Sequence, residues 1–153
     1  MTNSLPTANN MQRRNFNIQN WDYKCYLCND ESETMEHVFF NCRTSRQIWN
    51  HFVRLFGVLF VFPQTPSQNF IQQIICNANA KMNRNWKTLS CSTVWVLWYR
   101  QNLIAFQNKA FDVDDVVYTV GFHALKWLKT CEPSFPISFG QWIGNTSIVL
   151  LDV

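Results

Sequence analysis

Cys25-Tyr26-Leu27-Cys28-Asn29-Asp30-Glu31-Ser32-Glu33-Thr34-Met35-Glu36-His37-Val38-Phe39-Phe40-Asn41-Cys42 is the stretch that decides the fold of this 153-residue chain. It spells C-x2-C-x8-H-x4-C. Three thiolates and one imidazole form a complete tetrahedral ligand set for Zn²⁺, of the closed structural kind that leaves no position for water. A Cys-x2-Cys pair lets one tight turn offer two sulfurs to a single ion, and Asn29-Asp30 supplies turn chemistry directly after it. Glu31 to Thr34 reads as the start of a helix, with Thr34 able to cap and acidic residues near the positive end of the dipole. His37 then falls in the first turns of a helix running through Val38-Phe39-Phe40. Cys42 lies five residues beyond His37, roughly 140° round an ideal helix. The helix must therefore end or unwind there if both are to reach one ion.

Two plainer readings compete. Free cysteine is often buried simply as a small hydrophobe, but two correctly spaced ligand pairs within eighteen positions weigh against that here. A disulfide needs an oxidising compartment, and the polar stretch from Met1 to Asn20 lacks the apolar core of a secretory signal. The pattern selects one structural zinc ion. Cys76, Cys91 and Cys131 lie outside it, each in an apolar helical pattern with no second ligand pair nearby, and read as reduced core or near-surface thiols.

Composition narrows the rest. Apolar residues make up 47% of the chain, with seven Trp and thirteen Phe, so large rings should dominate the packing. Only four Gly argue against a β-rich or glycine-loop architecture, and a net charge of +3 permits nucleic-acid contact without predicting it. The longest apolar run, Leu55 to Phe62, is too short to span a bilayer.

Outward from the motif, Thr44 to Phe56 carries Ile48, Trp49, Phe52, Val53 and Phe56 on one face, with Gly57 as a natural stop. His51 is expected on the opposite, exposed face. Pro63 to Ser67 is a loop by punctuation, and Ser67 caps a second helix whose apolar face is Phe70, Ile71, Ile74, Ile75 and Ala78. The longest helix runs from about Asn85 to Lys109. Its middle, Val94 to Trp98, is apolar on all sides and is expected in the core. Asp112 to Cys131 is the cleanest amphipathic helix, with a stripe of Val113, Val116, Val117, Val120, Ala124, Trp127, Leu128 and Cys131, and with His123 on its polar side. Pro133 and Pro136 rule out helix from Glu132 onward, and Ser147 to Val153 is expected as a short strand or extended tail. The fold class is thus mainly α: a small zinc-stapled N-terminal module, a bundle of about four helices and an extended C-terminal tail. Its segments are a polar N-terminus (1–20), the zinc module with its following helix (21–62), a helical region (67–131) and the tail (132–153).

These residues resemble the zinc-binding domain that follows the reverse transcriptase in plant LINE-type (non-LTR) retrotransposons. The resemblance is carried by Leu5-Pro6-Thr7, Arg13-Arg14, Cys25-x2-Cys28, Glu33-Thr34, His37-Val38-Phe39-Phe40, Cys42 and Trp49. More loosely, it continues through Trp95, Leu97, Trp98, Asn102 and Phe106. It implies help in holding template RNA or target DNA. The chain departs from the family pattern in having Gln101 where the family has an arginine, with Arg100 one place early. It also lacks a Trp-containing helix before Leu5, so an N-terminally truncated fragment with exposed apolar surface is expected.

No enzyme is expected. Phe111-Asp112-Val113-Asp114-Asp115 looks superficially like a polymerase carboxylate box, but such a box needs a β-hairpin and a third carboxylate to hold two metals. No phosphate-binding loop, dinucleotide fingerprint or nucleophile elbow occurs, and no small-molecule substrate is implied. One reading is a non-catalytic module that binds RNA or DNA through Arg13, Arg14, Lys24 and Arg43, with Tyr26 as a stacking ring. It requires these side chains to form one basic patch beside the zinc. The other is a structural zinc module for protein interaction through exposed aromatic surface, or a relic without function. Reduced thiols point to cytoplasm or nucleus, with no membrane role.

Overall fold

A computed structural model describes residues 24–57, 61–65, 68, 80–107 and 109–144. In chain order these hold a π-helical turn (His37–Asn41), α1 (Arg43–Phe56), α2 (Ala80–Gln107), α3 (Val113–Cys131) and α4 (Phe139–Gly144). Among the described residues the one extended pairing is an isolated antiparallel bridge between Lys24 and Ser32. The architecture is mainly α, as the periodicities require. The helix expected after Ser67 and the terminal strand at 147–153 lie outside the described residues.

α1 turns Ile48, Trp49, Phe52 and Phe56 fully inward and leaves His51 exposed. Gly57 ends it in the left-handed region at φ 61°, and its N–H reaches Arg54 O at 3.1 Å. That conformation carries no penalty for a residue without Cβ.

α2 and α3 form an antiparallel pair. Arg84 bonds Glu132, Ser92 Oγ donates to Val120 O at 2.9 Å, and Arg100 reaches Thr119 and Asp115. Partners that ascend along one helix descend along the other. Asp112 caps α3: its Oδ1 accepts the N–H groups of Asp114 (2.8 Å) and Asp115 (3.3 Å). The acidic Phe111–Asp115 segment is therefore a helix start. Val116, Val120, Ala124 and Leu128 are buried as the stripe predicts, whereas Cys131, the last residue of α3, is exposed.

Three expectations need correction. Val94 to Trp98 is not buried on all sides. Val96 and Leu97 are, but Trp95 is 38% exposed, because α3 covers only part of the circumference of α2. His123 does not stand on a polar face; its ring is 4.5 Å from that of Trp95 and 5.5 Å from that of Phe122. The segment after Glu132 is non-helical only as far as Ser138, with Phe135 and Ile137 closing on the core, after which α4 forms. Trp142 of α4 is fully buried against Gly121 of α3, where a Cβ would lie only 3.1 Å from Trp142 Nε1. Glycine in mid-helix costs about 1 kcal/mol, and here it makes room for the indole.

Candidate metal centre

The Cys25–Cys28 pair sits in a tight knuckle closed by three backbone features. Cys25 N–H donates to Glu31 O and Asn29 N–H to Cys25 O, each at 2.7 Å, while Asn29 takes a left-handed conformation at φ 59°. Asparagine tolerates that region better than most residues, so the turn chemistry read from Asn29 is the geometry observed. Thr34 Oγ1 accepts the N–H of His37 at 3.1 Å, as a capping residue should.

The difficulty posed by the five-residue step from His37 to Cys42 is solved by winding. The chain opens into a π-helical turn in which Cys42 N–H donates to His37 O at 2.7 Å. Such an i→i+5 closure widens the turn by one residue and brings Cys42 back over His37. Cys42 then leaves helical geometry (φ −58°, ψ 130°) and becomes the residue before α1. This corner strips carbonyls at the end of the turn of helical partners, a standing cost of helix ends. α1 supplies replacements. Ser45 Oγ donates to Val38 O (2.5 Å), Trp49 Nε1 to Phe39 O (2.7 Å) and Arg46 Nε to Phe40 O (3.2 Å). From the same helix, Thr44 Oγ1 and Arg43 reach Leu27 O and Cys28 O, each at 3.1 Å. The knuckle and the turn are thus both fastened to one end of α1.

The result is convergence. One ligand atom from each of Cys25, Cys28, His37 and Cys42 lies within 4.8 Å of the others, and all four residues are buried. Cys28 Sγ and His37 Nε2 are 3.3 Å apart. A tetrahedral ion with metal–sulfur bonds of about 2.3 Å sets its ligand atoms roughly 3.5–3.8 Å apart, so the residues fit a metal. Cys25, Cys28, Cys42, Cys91 and Cys131 are free thiols among the described residues; Cys76 lies outside them.

Electrostatics favour the ligand state. A hydrogen bond from Cys25 holds the Cys42 thiol down at about 4 against its burial, helped by the N–H groups of Ser45 and Thr44 at the start of α1. The same bond, with burial, pushes Cys25 far up, although the N–H groups of Cys28 and Leu27 act the other way. Cys42 is thus the thiolate of the pair and Cys25 the hydrogen-bonded thiol. His37 Nδ1 lies 3.2 Å from the exposed carboxylate of Glu31, an electrostatic contact that leaves Nε2 as the ligand atom. From α2, buried Gln101 brings its amide to Cys25, with Oε1 3.9 Å from Sγ and Nε2 without a hydrogen-bond partner. Amide oxygen and nitrogen exchange by a simple flip, so this group can accept from the thiol or donate to the thiolate. Sequence reasoning did not foresee Glu31 and Gln101 in these roles; Gln101 was visible only as a departure from a family pattern.

Residues 1–49 match the family model described as zinc-binding in reverse transcriptase. The chain thus carries, over its N-terminal part, the zinc-binding sequence of a reverse-transcriptase context, and the four ligand-type residues fall inside the match. No curated protein and no solved structure shows a significant similarity to it.

Of the residues expected to touch nucleic acid, Lys24, Tyr26 and Arg43 are among the described residues. Arg13 and Arg14 lie outside the described residues. Lys24 is exposed, Tyr26 is half-buried, and the guanidinium of Arg43 is engaged with Cys28 O. Asp30, Glu31, Glu33 and Glu36 lie in the same short stretch, so among the described residues the knuckle is not a basic patch.

Proposed function

We propose that this chain is a non-catalytic zinc-binding domain, derived from the polyprotein of a plant LINE-type retrotransposon, that binds RNA or DNA. The observation that carries the reading is the buried convergence of Cys25, Cys28, His37 and Cys42 inside the family match. Three thiolates and an imidazole suit zinc among the common metals, and four protein ligands leave it no open position for catalytic water. The ion would staple the knuckle to the corner before α1, where Glu31 orients His37 and Gln101 faces Cys25. Thiols kept reduced for a metal fit the cytoplasm or nucleus, and among the described residues no helix is long and apolar enough to cross a membrane.

The test is metal analysis of the purified protein, followed by chelation monitored by circular dichroism. One zinc per chain, with part of the helical signal lost on chelation, supports the reading, and oligonucleotide binding that weakens with salt completes it. Metal-free protein with an unchanged fold would sink it. The alternative, a structural zinc module for protein interaction, is favoured by the exposed rings of α2 and α3. Zinc-loaded protein without affinity for any oligonucleotide would select that alternative.

A further inference from the structure

Resting on the nucleic-acid reading, we infer that single strands are held by the ring-bearing face of α2 and α3 rather than by the zinc knuckle. The first observation is a continuous chain of ring contacts at the surface. Trp95 and Tyr99 lie parallel within 2° at a centroid distance of 5.5 Å, exposed by 38% and 41%. Trp95 also meets His123 at 4.5 Å, and His123 leads on to Phe122, itself 42% exposed. Exposed parallel rings offer bases a stacking platform. Bases present free faces only when unpaired, which favours single strands over duplexes.

The second observation is charge. α2 contains no Asp or Glu along its whole length, and neither does α3 beyond Asp115. The acidic residues of the described chain gather instead at 30–36 and 112–115, with Glu132 just past α3 bonded to Arg84. On α3, Phe122, Lys126 and Lys129 stand at i, i+4 and i+7, which places both exposed lysines beside the rings. On α2, Lys87 stands two turns before Trp95 on the same side. Lys87, Lys126 and Lys129 have no carboxylate partner among the described residues. Rings flanked by lysines without a carboxylate complement a base-and-phosphate strand. A protein interface concentrates aromatic residues too, but it depletes lysine along with the acids, whereas this face keeps Lys87, Lys126 and Lys129 exposed.

The experiment is fluorescence anisotropy of labelled oligouridine and oligodeoxythymidine against zinc-loaded protein, at several salt concentrations. Trp95→Leu with Tyr99→Leu keeps apolar side chains but removes the stacking rings, and affinity should fall about tenfold or more. Lys126→Gln with Lys129→Gln touches only exposed side chains. It should flatten the salt slope by about 0.7 for each phosphate no longer neutralised, and it keeps the test decisive if the ring variant misfolds. Lys24→Gln at the knuckle should leave affinity unchanged. Binding that ignores the α2 and α3 variants but falls with Lys24→Gln would overturn the inference while leaving the nucleic-acid reading intact. No binding by the wild-type protein would instead remove that reading, and the inference with it. Self-association by sedimentation that the ring variant abolishes, with oligonucleotide affinity unmoved, would make this face a protein contact and overturn the inference.

Discussion

The knuckle with its π-helical turn and the α2–α3 pair share one buried core, but they hold together by different means. The first is short and polar at its joints: side chains of α1 satisfy carbonyls at 2.5–3.2 Å, and four ligands converge without any long apolar stripe. The second is long and packed by Val96, Leu97, Val120, Ala124, Leu128 and Trp142. Apolar burial contributes in proportion to area and needs no particular partner. A ligand cluster contributes only when its ion is present and its geometry is right. One molecule thus combines a half whose stability is conditional with a half whose stability is not.

The sharpest way to break that contrast is to remove the metal. Chelation, or Cys42→Ser, should unfold the knuckle and corner, since apparent structural-zinc binding energies are about 10–16 kcal/mol. Amide exchange should rise at residues 24–42 while α2 and α3 keep their protection; equal loss in both halves would erase the distinction. Trp49→Phe comes next. It keeps a ring but strands Phe39 O, and should cost about 1–3 kcal/mol in denaturant unfolding of zinc-loaded protein. Gln101→Leu should lower metal affinity by about tenfold or more, measured by chelator competition, with the helical signal unchanged. Gly121→Ala tests the other half. Crowding against Trp142 should outweigh the gain in helix propensity by about 1 kcal/mol, read as a lower Tm at unchanged metal content.

The smallest effect concerns His123, whose pKa is held down by burial and by nearby Lys126. A base with a depressed folded pKa takes its proton first in the unfolded chain. Stability should therefore fall as pH drops below the ordinary histidine value of about 6.5. His123→Gln should remove that slope, which comparative unfolding of the two proteins between pH 7 and 5 would show.

Much of this was legible because the deciding signals are local. Cys25 and Cys28 with Asn29 announce the knuckle, and the step from His37 to Cys42 announces a break in the helix. The spacing could not say how that break is made. Both unwinding and termination satisfy it, and the structure uses a π-helical turn followed by a corner. Trp49 was readable as a core ring, but the use of its indole N–H on Phe39 O depends on where two helices meet. Trp95 was misplaced for a related reason. An apolar run shows which residues avoid water on average, while the covering of α2 depends on how much of its circumference α3 reaches. Gln101 meets Cys25 across 76 positions of sequence, and periodicity carries no information about such a pair.

The π-helical turn has a consequence for how this stretch can change. Had His37 and its partner been four residues apart, an uninterrupted α-helix would have brought both to one side. The additional residue forces the wider turn, and with it the corner that makes Cys42 both a ligand and the threshold of α1. The segment is thus sensitive to residue number more than to residue kind. Apolar exchanges among Val38, Phe39 and Phe40 alter packing, but one codon deleted between His37 and Cys42 would straighten the helix and abolish the bend. The length of this interval belongs to the site as much as the ligands themselves do.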